Sequence, residues 1–176
     1  RLIEYAPVHP KVYAAEFPMG ICTDTADAGC HVTGTGRYLP DRSVWEETAS
    51  HMTGVIEQIP SSYSAVRVGG THAYTLARSG CRVTLPARQV EIYRMQILSV
   101  SPPFLRLRVC CSQGTYVRAL GRDLGRAAGC GLTLSFLLRE KAGSFSMENS
   151  RTLEEVEADP SGAVKKAESV LCGMPR

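Results

Sequence analysis

From Leu105 to Cys111 apolar and polar positions alternate: Leu105, Leu107, Val109 and Cys111 fall on one side, Arg106, Arg108 and Cys110 on the other. A period of two is that of a pleated strand with one face against a core and the other free to meet water or an anion. The period then changes. Past Gly114, whose missing Cβ opens backbone conformations closed to other residues, Val117, Leu120, Leu124 and Ala127 or Ala128 recur at helical spacing. That predicts a helix from Val117 to Ala128 ended by Gly129, with Arg118 and Arg122 on a different stripe from the apolar one. Two guanidinium groups displayed there can bind carboxylate or phosphate, or make an ordinary solvated face.

The same reading along the rest of the chain predicts a strand over Lys11 to Phe17 ended by Pro18, a turn over the Thr/Asp/Gly-rich stretch Gly20 to Gly29, and a strand near His31 to Gly36. Ser43 and Glu46 have capping-box spacing, which predicts a helix from Val44 to about Met52, stopped at Gly54 and anchored by Trp45. Ile59 to Val68 reads as a loop leading into a strand, and Ala73 to Arg78 as a short helix closed by Gly80. Val90 to Val100 reads as a long strand broken by Pro102 and Pro103. A further strand is expected around Gly143 to Met147, a cap at Thr152 with Glu155, and a last short helix starting at Asp159-Pro160. Strands interspersed with helices in this order indicate an α+β fold: a mixed, mainly antiparallel sheet with flanking helices. No internal repeat or low-complexity segment is present, and Gly34-Thr35-Gly36 lacks the third glycine and following helix of a dinucleotide site.

Length and composition narrow the class. A chain of 176 residues with 44% hydrophobic and 21% charged content has the make-up of one folded domain rather than of a disordered chain. Its formal charge of +3 is too small to imply nucleic acid by itself. Local clustering says more: Arg78, Arg82, Arg88, Arg94, Arg106, Arg108, Arg118, Arg122 and Arg126 crowd into about a third of the chain, and phosphate contacts are built from such groups. The seven cysteines, Cys22, Cys30, Cys81, Cys110, Cys111, Cys130 and Cys172, include an adjacent pair but no Cys-x-x-Cys. That pattern argues against a disulfide framework and a zinc site, and for a reducing cytoplasm in which the cysteines act as small core hydrophobes. His9, His31, His51 and His72 have no ligand spacing, so no metal is expected. No run of about eighteen apolar residues points to a membrane.

The segment Cys111-Ser112-Gln113-Gly114-Thr115-Tyr116-Val117-Arg118 resembles the strand-turn-helix block of the bacterial TruB-type tRNA pseudouridine synthases, which make the pseudouridine-55 of the TΨC loop. Further blocks follow in the family's order. Lys11-Val12-Tyr13 is similar to its Lys-x-Tyr block, Gly20 to Gly29 to its Gly-x-x-Thr-x-Thr-x-Asp-x-x-Gly block, Ile59 to Gly70 to its Ile-Pro-Pro-x-Tyr-Ser-Ala-x-Lys run, and Leu137 to Phe145 to its Leu-Arg-Arg-Thr-Arg-Ser-Gly-Pro-Phe block. The resemblance implies isomerisation of a tRNA uridine: the glycosidic bond breaks, the base turns, and C5 is joined to the ribose, without metal, redox chemistry or a small-molecule cofactor. The target must first be extruded from its stack into a pocket.

It also implies roles. Tyr13 is the expected platform under the base and a group for proton removal at C5. Arg118 is expected to hold the catalytic carboxylate through its fork, and Leu137 to pack against the base. Tyr116 is expected in the pocket wall, with Ser112, Gln113, Arg139 and Tyr63 as further substrate contacts. Tyr13 and Arg118 should then line one hole. Residues 1–153 are expected to form the later part of the catalytic domain and 154–176 a terminal helix and tail.

Some positions depart from the pattern. The family's nucleophilic aspartate belongs to a Gly-x-x-Asp-x-x-Ala-x-Gly block several tens of residues before the Lys-x-Tyr block, whereas ten residues precede Lys11. The expectation is therefore a piece of a longer enzyme, inactive by itself, in which Arg118 takes solvent, an anion, or another acid such as Asp123. An exposed sheet edge and some apolar surface should accompany the missing part. Gln113 stands for the family's lysine, Leu138 for an arginine, Glu140 for a threonine and Ser61 for a proline, all but the last reducing positive charge near the site. A tRNA TΨC stem-loop is the expected partner; a non-catalytic RNA-binding or remodelling module, or a protein-interaction domain without RNA, are the other classes open.

Overall fold

The computed structural model describes residues 8–81 and 83–164; Arg82, Cys172 and the tail expected beyond residue 164 lie outside them. Six strands form one sheet in the spatial order Phe145–Ser146 (β10), Phe136–Ala142 (β9), Lys11–Pro18 (β1), Phe104–Cys111 (β8), Arg88–Ser101 (β7) and Gly54–Gln58 (β4). Every neighbouring pair is antiparallel. The fold is the expected α+β class with an antiparallel sheet.

The alternation from Leu105 to Cys111 is realised directly. Leu105, Leu107, Val109 and Cys111 are buried on one face, where Ala15 and Phe17 of β1 and Val90, Ile92 and Ile97 of β7 join them. Two helices cover this face. Arg42–His51 (α1) inserts Trp45, which is wholly buried, and Val117–Ala127 (α3) inserts Leu120 and Leu124. Each large apolar side chain so buried contributes about 1.5–3 kcal/mol relative to exposure. α3 approaches the sheet closely at Gly121, over the Phe17 ring, where any side chain would collide.

Three local expectations are corrected. Ser43 does not cap α1: Asp41 does, accepting from the Val44 N–H, while the Ser43 hydroxyl donates to the Asp41 carboxylate at 2.7 Å and Glu46 pairs with Arg42. The last long strand is β9, Phe136–Ala142, and only Phe145–Ser146 is strand in the stretch expected there, because Gly143 turns the chain between them at φ +60°. The turn-rich stretch after Pro18 contains a strand, Ile21–Thr23 (β2), which pairs with Val32–Thr35 (β3).

Other elements stand as expected. Arg67–Val68 (β5) and Thr71–His72 (β6) make a small hairpin leading into Ala73–Arg78 (α2). Thr152 and Glu155 form a reciprocal capping box on Leu153–Ala158 (α4), and Asp159 caps Pro160–Ala163 (α5).

Candidate active site

α3 begins without a side-chain cap of its own. Its N-cap residue Tyr116 is instead held by Gln58 at the end of β4, a wholly buried amide. The Tyr116 N–H donates to Gln58 Oε1 at 2.8 Å, and Gln58 Nε2 donates to the Tyr116 carbonyl at 3.1 Å. A buried amide with both ends satisfied stabilises its surroundings, whereas an unpaired one costs about 1–3 kcal/mol. Just before it, the chain passes through Gly114 at φ +85°, a conformation that favours glycine. The turn thus fixes where α3 starts, and with it where Arg118 points.

Arg118 faces a cavity of about 620 Å³. Its Nη1 donates to Asp27 Oδ2 at 3.2 Å and its Nη2 to the Tyr63 carbonyl at 3.3 Å. Asp27 lies in the loop between β2 and β3, and that loop is fastened from both sides. Thr23 Oγ1 donates to the Asp27 carbonyl, and the Asp27 N–H donates to Thr25 Oγ1. Tyr63, Tyr74 and Tyr116 supply aromatic surface to the same cavity, and Arg78 stands beside Tyr74 with its guanidinium 5.5 Å from the ring centroid. The Ser64 hydroxyl is buried there without a partner. An ion-paired guanidinium among three phenol rings can orient a second carboxylate and offers planar faces for a nucleobase.

Arg118 takes another acid, as expected, but that acid is Asp27 and not Asp123. Asp123 is taken by its neighbour Arg122, whose Nε and Nη2 meet its two oxygens at 2.9 and 3.0 Å. Arg122 also donates to the Ile59 carbonyl. Asp27, which belongs to the Thr-x-Thr-x-Asp block but had no role assigned from sequence, is the acid that Arg118 uses.

Tyr13 and Leu137 do not line this cavity. They form a second group on the helix-bearing face of the sheet, where Tyr13 is paired with Arg139 and Ala15 with Leu137 across β1 and β9. Tyr13 is half-buried against the core. Burial pushes its phenol above the ordinary 10.0, the nearby Cys111 adds to that, and Arg139 works against it. Leu137 is 44% exposed, so its side chain is available to a ligand. The Asp27 loop connects the two groups: the Ala28 N–H donates to the Leu134 carbonyl at 2.7 Å and the Leu134 N–H to the Ala26 carbonyl at 3.0 Å, three residues before Leu137.

Ser112 is engaged in the sheet, its N–H donating to the Glu91 carbonyl and its Oγ accepting from the Glu91 N–H, while Gln113 is exposed. The arginine cluster divides. Arg106 and Arg108 lie on the sheet face opposite α3 and are paired with Glu16 and Glu140, Arg108 in two-pronged fashion at 2.7 and 2.8 Å. The cysteines divide as well: Cys111 and Cys130 are buried, Cys110 is intermediate, and Cys22, Cys30 and Cys81 are exposed, against the expectation that all are core residues. Among the described residues no group of three or more His, Cys, Asp or Glu could hold a metal ion, and no helix is long and apolar enough to cross a membrane.

Residues 1–117 match the TruB family pseudouridylate synthase N-terminal domain. The chain is 41% identical to tRNA pseudouridine synthase B of Moorella thermoacetica, over 99% of this chain and 58% of that protein. It is 40% identical to tRNA pseudouridine synthase B of Symbiobacterium thermophilum, over 100% of this chain and 60% of that one. The chain therefore spans somewhat under two thirds of the length of these curated relatives. Among solved structures, a Cbf5–Nop10–Gar1 complex superposes with a TM-score of 0.65 at 20% identity, covering 95% of this chain and 42% of the matched one. An H/ACA ribonucleoprotein bound to a substrate RNA containing 2′-deoxyuridine superposes at 0.60 and 17%, covering 95% and 40%. At such identities these two are likenesses of fold.

Proposed function

The chain belongs to the TruB family of pseudouridylate synthases, and from that premise we propose that the whole protein isomerises a uridine in the TΨC loop of tRNA to pseudouridine. The observation that carries the proposal is the cavity in which Arg118, oriented by Asp27, stands among Tyr63, Tyr74 and Tyr116. Substrate enters as an everted nucleotide. Extruding it costs a few kcal/mol, which stacking on tyrosine faces and contacts to its backbone offset.

The attacking carboxylate comes from sequence outside these 176 residues, as the family pattern implies. Arg118 has room for it. A guanidinium carries five N–H donors, and the contacts to Asp27 and Tyr63 occupy two of them. The remainder can hold a second carboxylate in one orientation while the glycosidic bond breaks and the base turns. Tyr13 and Leu137 stand outside this cavity on β1 and β9, joined to it by the Asp27 loop, and in this reading they take the base as it turns: Tyr13 serves as the platform and as the acceptor of the C5 proton, and Leu137 closes over the base. Tyr116 forms the wall, and Ser112, Gln113, Arg139 and Tyr63 contact the RNA around the target. In this reading residues 1–153 belong to the catalytic domain, residues 154–176 follow it as a terminal segment, and the protein acts in the cytoplasm.

The experiment is site mapping of pseudouridine in unmodified tRNA incubated with the chain joined to the sequence that precedes it in its gene. Modification confined to one TΨC-loop uridine is expected. Binding of the RNA with no modified uridine would instead identify a non-catalytic RNA module.

A further inference from the structure

We propose that Gln58 and Arg88 together form a positioning device for Tyr116, with Arg88 acting on the ring and Gln58 on the backbone; the inference rests on the reading of the cavity as a uridine site. The two are direct partners across the end of the sheet, Gln58 on β4 opposite Arg88 on β7. In an antiparallel pair such partners project to the same face, and here both reach the turn that precedes α3. Gln58 holds the N–H and the carbonyl of Tyr116, as described above. The Arg88 guanidinium lies 4.4 Å from the centroid of the Tyr116 ring, and its Nη2 donates to the Gly114 carbonyl. Arg88 does not itself line the cavity that Tyr116 lines.

One planar group thus grips both ends of the turn. If the Gly114 carbonyl rotated away, Arg88 would lose its acceptor; if the Tyr116 ring swung, Arg88 would lose the aromatic face beneath it. The Arg88 Nε is buried with no hydrogen-bond partner, a cost that a merely structural strand residue could avoid by pointing outward. What the arrangement secures is the orientation of a cavity wall and, two residues later, the first turn of α3 with Arg118. Lysine cannot replace it fully. An ammonium has no plane to lie on the ring and no fork to reach the carbonyl at the same time.

The test combines two measurements on Arg88→Met and Arg88→Lys. In the 176-residue chain labelled with 3-fluorotyrosine, the Tyr116 fluorine resonance is assigned through Tyr116→Phe. Arg88→Met is expected to shift and broaden that resonance, with the Tyr93 resonance and the fluorescence of buried Trp45 unchanged. Arg88→Lys is expected to shift it less. In the chain joined to its upstream sequence, kcat should fall about tenfold to a hundredfold in Arg88→Met, with KM held within about threefold and a smaller loss in Arg88→Lys. A general loss of stability would also lower kcat at constant KM by shrinking the active fraction, so kcat is compared only where the fluorescence of buried Trp45 shows each variant to be folded. An unchanged Tyr116 resonance in folded Arg88→Met, or parental kcat, overturns the inference. If Arg88→Met loses the Trp45 signature and does not fold, the lysine variant decides by the same two readings. If the parent itself turns over no uridine, the functional reading fails, and the fluorine resonance alone decides whether Arg88 positions the ring.

Discussion

Arg118 and Asp27 meet at 3.2 Å, with side chains 26% and 42% exposed, so their pair is worth little to folding and its value lies in orientation. Asp27→Asn keeps the shape and removes the charge. We expect tritium release from C5-labelled uridine to fall by about tenfold to a hundredfold, while the melting temperature moves by less than about 4 °C. Tyr13→Phe keeps the ring and removes the hydroxyl; stem-loop affinity should stay within about threefold while tritium release falls at least a hundredfold, at the lower end of what acid–base catalysis provides. Arg118, Tyr116 and Tyr63 could be assigned to a site from the sequence only through the resemblance to the family's blocks, and the structure brings the three to one cavity. Asp27, Gln58 and Arg88 were not given roles, since their importance comes from contacts across 91, 58 and 26 positions of chain. Period and spacing do not report such distances.

At the scale of elements, β8 and α3 could be read directly because each has one strong period and a glycine between them. β9 could not: Phe136, Leu137 and Leu138 run together without alternation, and a bulge opposite Val12 and Tyr13 shifts its register. β4 is five residues long and follows α1 after a two-residue break, too short for a period of two to stand out. The contact between α3 and β1 offers a sharp test. A Cβ on Gly121 would collide with the edge of the Phe17 ring, 2.7 Å from Cζ and 2.8 Å from Cδ1, so Gly121→Ala must push the helix off the sheet or the ring off its rotamer. A loss of roughly 1–3 kcal/mol is expected from the urea midpoint, with the slope of the transition unchanged. Stability equal to that of the parent would mean that α3 lies farther from β1 than described.

On the scale of the whole molecule, the α+β class followed from the order of strand and helix periods, whereas the division of the arginines between two sheet faces became visible only once the strands were paired. Titration also acts at this scale. Burial holds the Cys111 and Cys130 thiols above 9.0 and the Tyr13 phenol above 10.0. A raised value means that the folded chain keeps protons which the unfolded chain has given up, so stability is full below about pH 9 and declines as the pH rises through the folded-state values. Urea midpoints from pH 7 to 10.5 should show that decline, and Cys111→Ala should flatten its first part. The central claim, that Arg118 serves the isomerisation of a uridine held in the cavity, is tested most directly by tritium release from tRNA labelled at uridine C5. The comparison is between the chain joined to its upstream sequence and its Arg118→Lys variant, which keeps the charge and loses the fork. Release by the parent, with a loss of at least about a hundredfold in the variant at unchanged melting temperature, is the predicted result; equal release by the two proteins, or none by the parent, would contradict it.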